Sequence, residues 1–449
     1  MKRLLFTFVS VVLVSGCAFA MFARPSLMPA ERLLERTHAH LQKRPKDHKA
    51  HYVLGRIHYL AFYNRASQVA AYSFHDKNVG LPSIAPYWTA EQRYLPEARR
   101  AEATSRTLKQ MGVKSVSEIP QDQARQFYRD VGELSKKLKE EGWKPEQILT
   151  GQSAEHATLA LKSFDRAIDL DPENSLYLLG KASLLEQAKE FYAKDKPDRV
   201  DPILSKTSDE QIRDAYFRAY ATGVKEALAL EHRPAAGLRS IASYEAGKAY
   251  ERLCKAAKKM TEIEKERLVD VGQSLAKLDK LRHGFITPII FSLERHAELG
   301  DLLNPSRRVR FDLDGDGMVE EWPWVRGDTA FLVWDPARSG RILSGRQLFG
   351  SYTWQIPWEN GYEPLAMLDR SGDGRLSGDE LEGIRVWFDR DGDGVSDQRE
   401  VVDLSTLKIE SIATSGRQVR GTKHLTNRSG IRLESGIQLA TWDWVPGSE

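Results

Sequence analysis

The amino-acid sequence predicts a mainly α chain in which a long helical region precedes a small α+β domain. From Ala30 to about Leu299 the chain is rich in Ala, Leu, Glu, Lys and Gln, which favour helices, and apolar residues recur at three- and four-residue spacing. The composition then changes: residues 311–400 hold 19 acidic and 9 basic side chains, and eight of the ten tryptophans follow residue 310. A chain of 449 residues is too long for one core. We therefore place the main domain boundary near Pro305.

The first 17 residues have the features of an export signal. Two basic residues precede an apolar run, Leu4–Val14, which is too short to cross a hydrocarbon core of about 30 Å. The run ends in Val-Ser-Gly-Cys17, which resembles the lipobox of bacterial lipoproteins. That resemblance implies cleavage before Cys17, lipidation of this cysteine, and an exported protein anchored to a membrane in the periplasm or at the outer membrane. Cleavage after Ala20 would instead release a secreted protein, and a buried apolar helix is a further alternative.

Parts of the helical region resemble tetratricopeptide repeats. Small residues at Ala160 and Ala167 would let two helices approach closely, Phe164 would fill the space between them, and Pro172 would end the helix. Shorter matches occur at residues 45–59, 178–185 and 246–250. Long insertions separate these matches, and an unrelated helical bundle would show similar spacing. The resemblance implies a concave surface that binds a protein or peptide partner, and a plain scaffold fits the sequence equally well.

The formal charge of +3 does not indicate nucleic-acid binding. The basic residues of the helical region alternate with glutamates, as in residues 262–267, which is the pattern of a solvated helix face. An exported protein would also not meet nucleic acid. We expect no nucleic-acid partner.

Residues 369–380 and 389–400 each match the twelve-residue calcium loop of EF-hands. Calcium takes six to eight oxygen ligands, which such a loop supplies from positions 1, 3, 5, 7, 9 and 12, with glycine at position 6. The later loop meets every position, with Asp389, Asp391, Asp393, the carbonyl of Val395, Asp397 and Glu400. The earlier loop offers Asp369, Ser371, Asp373, the carbonyl of Arg375, Ser377 and Glu380. It carries fewer charges, so we expect weaker binding there. Converging carboxylates are tolerable only beside a cation, and Ca²⁺ is the expected cofactor.

The two loops begin only twenty residues apart, too close for two full helix–loop–helix units. We therefore expect one short helix, Leu381–Phe388, to join them. This compressed arrangement resembles the calcium-loop segments of large secreted bacterial proteins and, loosely, dockerins. Leu376 is apolar at position 8, where paired loops usually meet, but Ser396 stands at that position in the second loop. Pairing between these two loops is therefore open.

Two imperfect loops lie upstream. Asp312, Asp314 and Asp316 begin a third loop, but position 12 is Pro323, so its last ligand would come from elsewhere, such as Glu321 or Asp328. The segment from Asp335 to Arg346 keeps the first aspartate, the glycine at position 6 and an apolar residue at position 8, but has lost its other acids. We interpret this segment as a loop without an ion, with an arginine in place of the cation.

Three segments read as strands: Phe331–Trp334, Lys408–Ile412 and the alternating tail that begins at Gln438. Trp442 and Trp444 fit either a hydrophobic core or an aromatic platform for a ligand. The predicted domains are thus a signal peptide with lipobox at residues 1–17, a helical region at 24–300, and an α+β calcium-binding module at 305–449.

The combination resembles exported bacterial proteins that join tetratricopeptide-like helices to EF-hand loops. It implies an interaction or scaffold protein in which calcium is mainly structural, because calcium outside the cytoplasm would keep even weak sites filled. The alternative is an envelope-associated hydrolase whose site is assembled from distant residues. His-Glu-x-x-His, Gly-x-Ser-x-Gly, Walker and Cys-x-x-Cys motifs are all missing from the sequence. No catalytic residue is predicted.

Overall fold

A computed structural model of the chain describes residues 27–64, 68–70, 103–104, 106–113, 119–120, 123–141, 150–195, 201–229, 238–278, 286–314, 319–336, 338–397 and 399–446. The signal-like segment with Cys17 lies outside the described residues, and so does Asp316. None of the described helices combines the length and the apolar character needed to cross a membrane.

Helices make up most of the described chain before residue 280. They are α1 Ala30–Lys43, α2 His48–Asn64, α3 Ala124–Glu140, α4 Thr150–Leu170, α5 Ser175–Asp195, α6 Pro202–Lys206, α7 Asp209–Ala229, α8 Leu238–Ala256 and α9 Glu262–Leu278. Two short helices follow later, α10 Leu299–Leu302 and α11 Tyr362–Ala366. Single 3₁₀ turns occur at Gly345–Gln347, Thr353–Gln355, Gly378–Leu381 and Leu404–Leu407.

Capping boxes define where two of the long helices begin. Ahead of α7, the Ser208 hydroxyl accepts from the N–H of Gln211 at 3.1 Å, and the Gln211 side chain accepts from the N–H of Ser208 at 2.8 Å. Thr261 and Glu264 make the same reciprocal pair ahead of α9. These bonds satisfy N–H groups that have no partner inside the helix. Glu264 also forms a buried ion pair with Arg213 of α7, at 2.6 Å, which joins the two helices.

The helical core is organised around Phe164 of α4. A Cβ atom added at Gly55 of α2 would lie 2.7 Å from this ring, and one at Gly180 of α5 would lie 3.1 Å from it. Tyr52 and Tyr59 of α2 also contact the ring, with centroids at 5.7 and 6.4 Å. The sequence assigned Phe164 to the space between close helices, and the structure confirms that packing through two glycines on neighbouring helices.

A hydrogen-bonded histidine pair also links α2 to α4. The Nδ1 atoms of His58 and His156 lie 2.8 Å apart, and His58 is buried. Burial lowers the pKa of His58 to about 3, with further lowering by the charges of His156 and His38. Burial likewise lowers the pKa of His156. The pair is therefore neutral in the folded protein at neutral pH.

The C-terminal part contains short strands, most of which build one large antiparallel sheet. In chain order the strands of the protein are β1 Leu27–Pro29, β2 Gln68–Ala70, β3 Ile289–Ser292, β4 Leu303–Phe311, β5 Glu320–Val325, β6 Thr329–Trp334, β7 Arg375–Ser377, β8 Ile384–Trp387, β9 Val401–Asp403, β10 Ile409–Ala413, β11 Arg417–Gln418, β12 Leu425–Leu433 and β13 Gln438–Asp443. The large sheet has the order β7-β10-β12-β13-β3-β6-β8-β9, and β11 pairs with β12. Two further pairs, β1 with β2 and β4 with β5, form separate two-stranded sheets.

Both faces of this sheet are buried. Ala330, Leu332 and Trp334 of β6 belong to one apolar cluster, whereas Phe331 and Val333 belong to another. This division follows from the alternation of side chains along a strand. The first cluster includes residues of α1 and α2, and the second includes residues of the β4–β5 hairpin. The sheet is thus the middle layer between helices and a hairpin.

The structure corrects the predicted fold class of the C-terminal region. This region is a large antiparallel sheet, not a small α+β domain. The boundary near Pro305 is also wrong, because β3 precedes that residue and lies between β13 and β6 in the middle of the sheet. Strand β3 was not predicted, because all four of its residues are buried, which removes the polar alternation that reveals a strand. The three strand segments read from the sequence are confirmed as β6, β10 and β13.

The short helix expected at Leu381–Phe388 is also wrong. A 3₁₀ turn ends at Leu381, Gly383 follows with φ of +90°, and the chain continues as strand β8. Positive φ at Gly383 is incompatible with a right-handed helix. A Cβ atom there would also lie 2.5 Å from the ring of Trp334, so the glycine allows the chain to cross that side chain. The two calcium-like loops are therefore joined by a strand of the large sheet.

We expect Gly55→Ala to destabilise the helical region by about 1–3 kcal/mol, because the added methyl group would overlap the Phe164 ring. Gly272→Ala in α9 is the matched control, since nothing lies within 4 Å of the added atom. That control should be neutral or more stable, by up to about 1 kcal/mol. Denaturant unfolding followed by far-ultraviolet circular dichroism measures both, and equal effects would show that Phe164 does not set the helix separation.

We also expect the helical region to lose stability as the pH falls from 6.5 towards 3. The unfolded chain protonates its histidines near pH 6.5, whereas the folded state holds His58 neutral to about pH 3. The unfolded state therefore binds more protons in this window, so acid favours unfolding. His58→Phe should flatten the dependence of the melting temperature on pH, and substitution of the exposed His296 by Asn should not. An unchanged slope in His58→Phe would refute this role.

Candidate metal centre

The loop of residues 389–400 connects β8 to β9 and begins at a buried carboxylate. Asp389 is fully buried, and its two oxygens accept the N–H groups of Asp393 and Gly394, each at 3.1 Å. Its Oδ2 also accepts the indole N–H of Trp324, at 2.5 Å. Burial raises the pKa of Asp389 to about 6, and the charges of Glu400 and Asp393 add to this rise, while the hydrogen bonds from Gly394 and Trp324 oppose it. A cation beside Asp389 would offset this cost of ionisation.

Three aspartates of this loop come together. Asp389, Asp391 and Asp393 each contribute a carboxylate oxygen, and these oxygens lie within 4.8 Å of one another. Glu400, at position 12, accepts the N–H of Arg390 at 2.6 Å and the N–H of Asp397 at 3.3 Å. The predicted ligands at positions 1, 3 and 5 therefore converge, and hydrogen bonds within the loop tie positions 9 and 12 to each other.

The β4–β5 hairpin covers this loop. The Arg307 guanidinium of β4 donates to the carbonyl of Asp391. A Cβ atom at Gly394 would lie 2.2 Å from Val309 and 2.9 Å from the carbonyl of Arg310, and Gly394 has φ of +75°. Position 6 thus needs glycine for two reasons, its left-handed backbone conformation and the close approach of the hairpin.

The loop of residues 369–380 has the same internal pattern. Asp369 is buried and accepts the N–H of Gly374 at 3.0 Å, which is again position 6 bonding to position 1. The Glu380 carboxylate accepts the N–H groups of Ser371 at 2.7 Å and Ser377 at 3.2 Å. Position 7 donates its N–H to position 5 in both loops, from Arg375 to Asp373 at 2.8 Å and from Val395 to Asp393 at 2.7 Å.

The Arg375 side chain points away from this loop. It donates to Ser411 and to the carbonyl of Ser429, at 2.9 and 3.1 Å. The cationic side chain is thus bonded outside the loop, and the predicted ligand at this position remains the carbonyl of Arg375.

The degenerate loop that begins at Asp335 keeps the same backbone bonds without acids at positions 3, 5 and 12. Asp335 is fully buried, and it accepts the N–H groups of Ser339 at 2.9 Å and Gly340 at 2.8 Å. The Arg385 guanidinium lies 3.1 Å from its Oδ2 and 2.9 Å from Asp403. The arginine that faces the first aspartate is therefore Arg385 of β8, whereas the sequence had pointed to Arg346.

The degenerate loop is the partner of the 389–400 loop. Ile342 and Ser396 are the eighth residues of their loops, and the Ile342 N–H donates to the Ser396 hydroxyl at 2.6 Å. Leu376, the eighth residue of the 369–380 loop, instead pairs with Ile412 of β10. The two complete loops therefore do not pair with each other at position 8.

The upstream loop at Asp312 is described only in part. Asp312 is buried, and its carbonyl accepts the N–H of Gly345 at 2.8 Å. Asp314 lies within electrostatic range of Tyr352, and Asp316 is outside the described residues. Glu321, one of the proposed last ligands, stands opposite Arg310 in the β4–β5 pair.

Two tryptophans, one cysteine and one aspartate outside the loops are buried in the core. Trp442 and Trp444 are buried in the cluster beneath the hairpin, which excludes an exposed aromatic platform at these two side chains. Cys254 is buried on α8, and burial raises the pKa of its thiol. Asp443 is a fully buried carboxylate outside the loops, and it accepts the N–H of Gly361 at 2.7 Å.

We expect Arg385→Gln to destabilise the C-terminal region by about 3–5 kcal/mol, because it would leave Asp335 buried without its cation. Arg338→Gln is the matched control: its side chain is 73% exposed, against 12% for Arg385, and it lies 3.9 Å from Asp403. Thermal unfolding of both variants in calcium distinguishes the two roles. Equal melting temperatures would show that Asp335 does not depend on Arg385.

Most of the sheet region matches a known protein domain family. Residues 300–441 match the family model of the SPM domain, about a third of the chain. The chain is also similar to a protein of Neisseria meningitidis serogroup C named iron-regulated protein FrpA, with 33% identity over 122 residues. That alignment covers 26% of this chain and 11% of the relative, so the chain spans about a tenth of the relative's length.

Proposed function

We propose that the C-terminal region is a calcium-binding module in which Ca²⁺ at the loops of residues 389–400 and 369–380 stabilises the sheet. The observation that carries the proposal is the convergence of three carboxylates, from Asp389, Asp391 and Asp393, on oxygens within 4.8 Å of one another. The first of these carboxylates is fully buried. Such an arrangement is costly without a cation.

The donor set suits calcium. Its ligands would be hard oxygens: the three aspartates, the carbonyl of Val395, Asp397 and Glu400. In the 369–380 loop, Ser371 and Ser377 replace two of the acids, so this site would bind more weakly. An ion bound only by the folded loops would stabilise the folded state by mass action.

A structural role is favoured over a regulatory switch by the position of the 389–400 loop. It joins β8 to β9, which pair with each other in the large sheet. The β4–β5 hairpin covers it and Trp324 holds its first carboxylate. A sensor needs a pair of helices that can open, and strands flank this loop on both sides.

We extend the proposal to the whole chain as an exported scaffold or interaction protein. The lipobox-like sequence at Cys17 supports a lipid anchor, and the repeat-like spacing of the helices supports a protein or peptide partner. The helices and the sheet share α2, whose residues enter both the helical core and the core beneath the sheet. A partner on the helices would thus be carried on a base stiffened by calcium.

We expect the full chain to bind two or more calcium ions and to melt several degrees lower in chelator. Asp391→Asn removes one charge at position 3 and should weaken binding at its loop by about tenfold or more. Asp379→Asn is the matched control, because it removes the same charge from position 11, which supplies no ligand. Calorimetric titration with calcium and calorimetric melting measure both effects.

The proposal is wrong if no calcium binds, or if Asp379→Asn weakens binding as much as Asp391→Asn does. The second result would mean that the loops attract calcium only through their overall charge. Magnesium at the same concentration is a further control, since a seven-oxygen site suits the larger ion.

A further inference from the structure

A second polar site lies where the helices meet the sheet region. Here α2 contributes Tyr52 and Arg56, α8 contributes Glu245, and the segment between β6 and α11 contributes Arg346 and Tyr352. Each of these five side chains is buried. None belongs to the proposed calcium loops of residues 369–380 and 389–400.

Arg56 has donors that the protein does not use. Its side chain is fully buried, and Nε donates to the carbonyl of Gln355 at 3.0 Å. The two terminal nitrogens, Nη1 and Nη2, are buried and have no hydrogen-bond partner among the described residues, and the guanidinium carbon lies 5.3 Å from the centre of the Tyr59 ring. A guanidinium presents these nitrogens as a planar fork that matches two oxygens of a carboxylate or a phosphate. Leaving such a fork unpaired in a protein interior is strongly unfavourable.

Tyr52 supplies a further unused donor one helical turn before Arg56. Residues four apart lie on the same helix face, so both side chains point into the same region. The Tyr52 hydroxyl is buried, and no residue in the described part of the chain forms a hydrogen bond with it. Its ring is held between Tyr177 and Phe164, with centroids at 5.0 and 5.7 Å, which fixes the position of the hydroxyl.

Neighbouring charged side chains affect the pKa values of Arg56 and Tyr352. Arg346 lies close enough to lower the pKa of Arg56, after the larger lowering caused by burial. The negative charge of Glu245 has a smaller effect and raises the pKa of Arg56. Burial raises the pKa of Tyr352, and the negative charges of Glu245 and Asp314 raise it further. The junction thus holds two cationic side chains, Arg56 and Arg346, and two carboxylates, Glu245 and Asp314.

The backbone at the site is strained. Trp354 and Gln355 are consecutive non-glycine residues with φ of +59° and +62°. Left-handed conformations are costly for such residues and concentrate at functional sites. The strained turn presents the Gln355 carbonyl to Arg56, so it orients the guanidinium.

We propose that this junction binds the oxyanionic group of a small ligand, a carboxylate or a phosphate. Nη1 and Nη2 of Arg56 would hold two oxygens of the group, and the Tyr52 hydroxyl would donate to it. Arg346 would add a second positive charge.

The test uses the full chain with sodium phosphate, sodium acetate and sodium chloride at equal ionic strength as probes. Phosphate or acetate should raise the melting temperature in a saturable manner, and chloride should not. Arg56→Met should weaken the binding of that oxyanion by tenfold or more, as measured by calorimetric titration. Arg218→Met, at an exposed position of α7, is the matched control and should bind as the native chain does.

Arg56→Lys covers the case in which Arg56→Met fails to fold. It keeps the charge but loses the fork, so oxyanion binding should weaken by an intermediate factor. Preference for acetate over phosphate would assign a carboxylate ligand, and the reverse a phosphate. The proposal is overturned if neither oxyanion stabilises the native chain more than chloride does, or if the Arg56 variants respond as fully as the native chain.

Repeating the titration in chelator separates this proposal from that of the calcium module. Oxyanion binding that requires Arg56 but no calcium would stand even if the loops bound no ion. Binding that disappears in both the native chain and Arg218→Met when calcium is removed, together with a lower melting temperature, would place the junction under the control of the module.

Discussion

The burial of negative charge at strand ends is the constraint on which the C-terminal region depends. Asp335 directly follows β6, and Asp389 lies just beyond β8, and both are fully buried. Each is wrapped by backbone N–H groups of its own loop. The remaining charge is met in two ways, by a guanidinium at Asp335 and, on our proposal, by a bound ion at Asp389. The loop at Asp389 connects the neighbouring strands β8 and β9, and Arg385 of β8 reaches Asp335 at the end of β6, so both carboxylates depend on the pairing of these strands.

The helix α2 has a corresponding importance for the connection between the two parts of the chain. Its glycine face accepts Phe164, while Val53, Ile57 and Leu60 enter the core beneath the sheet. Arg56 lies between these faces, and its hydrogen bond to the carbonyl of Gln355 joins the helix to the strained turn. One helix thus belongs to two cores at once, and a polar group sits on the seam between them.

The loop ligands could be read from the sequence because their information is local. Twelve consecutive residues determine which carboxylates converge, and the observed bonds within the loops follow that spacing. Trp324 and Arg385 could not be read in this way. Trp324 lies 65 residues from Asp389, and Arg385 lies 50 residues from Asp335, so the hairpin brings the first pair together and the pairing of β6 with β8 the second. The extent of the sheet was underestimated because strands buried on both faces resemble apolar segments of any kind, as β3 illustrates.

The pairing of a degenerate loop with a complete one has a consequence for how occupancy would depend on ion concentration. In EF-hand pairs that bind two ions, contact between the eighth positions couples binding at one site to binding at the other. Here the neighbour of the 389–400 loop carries its positive charge permanently, on Arg385, and the 369–380 loop adjoins a strand instead of a second loop. Each filled loop would therefore titrate alone, with a hyperbolic curve and a Hill coefficient near one. Such sites respond gradually and are suited to surroundings in which the ion is always present.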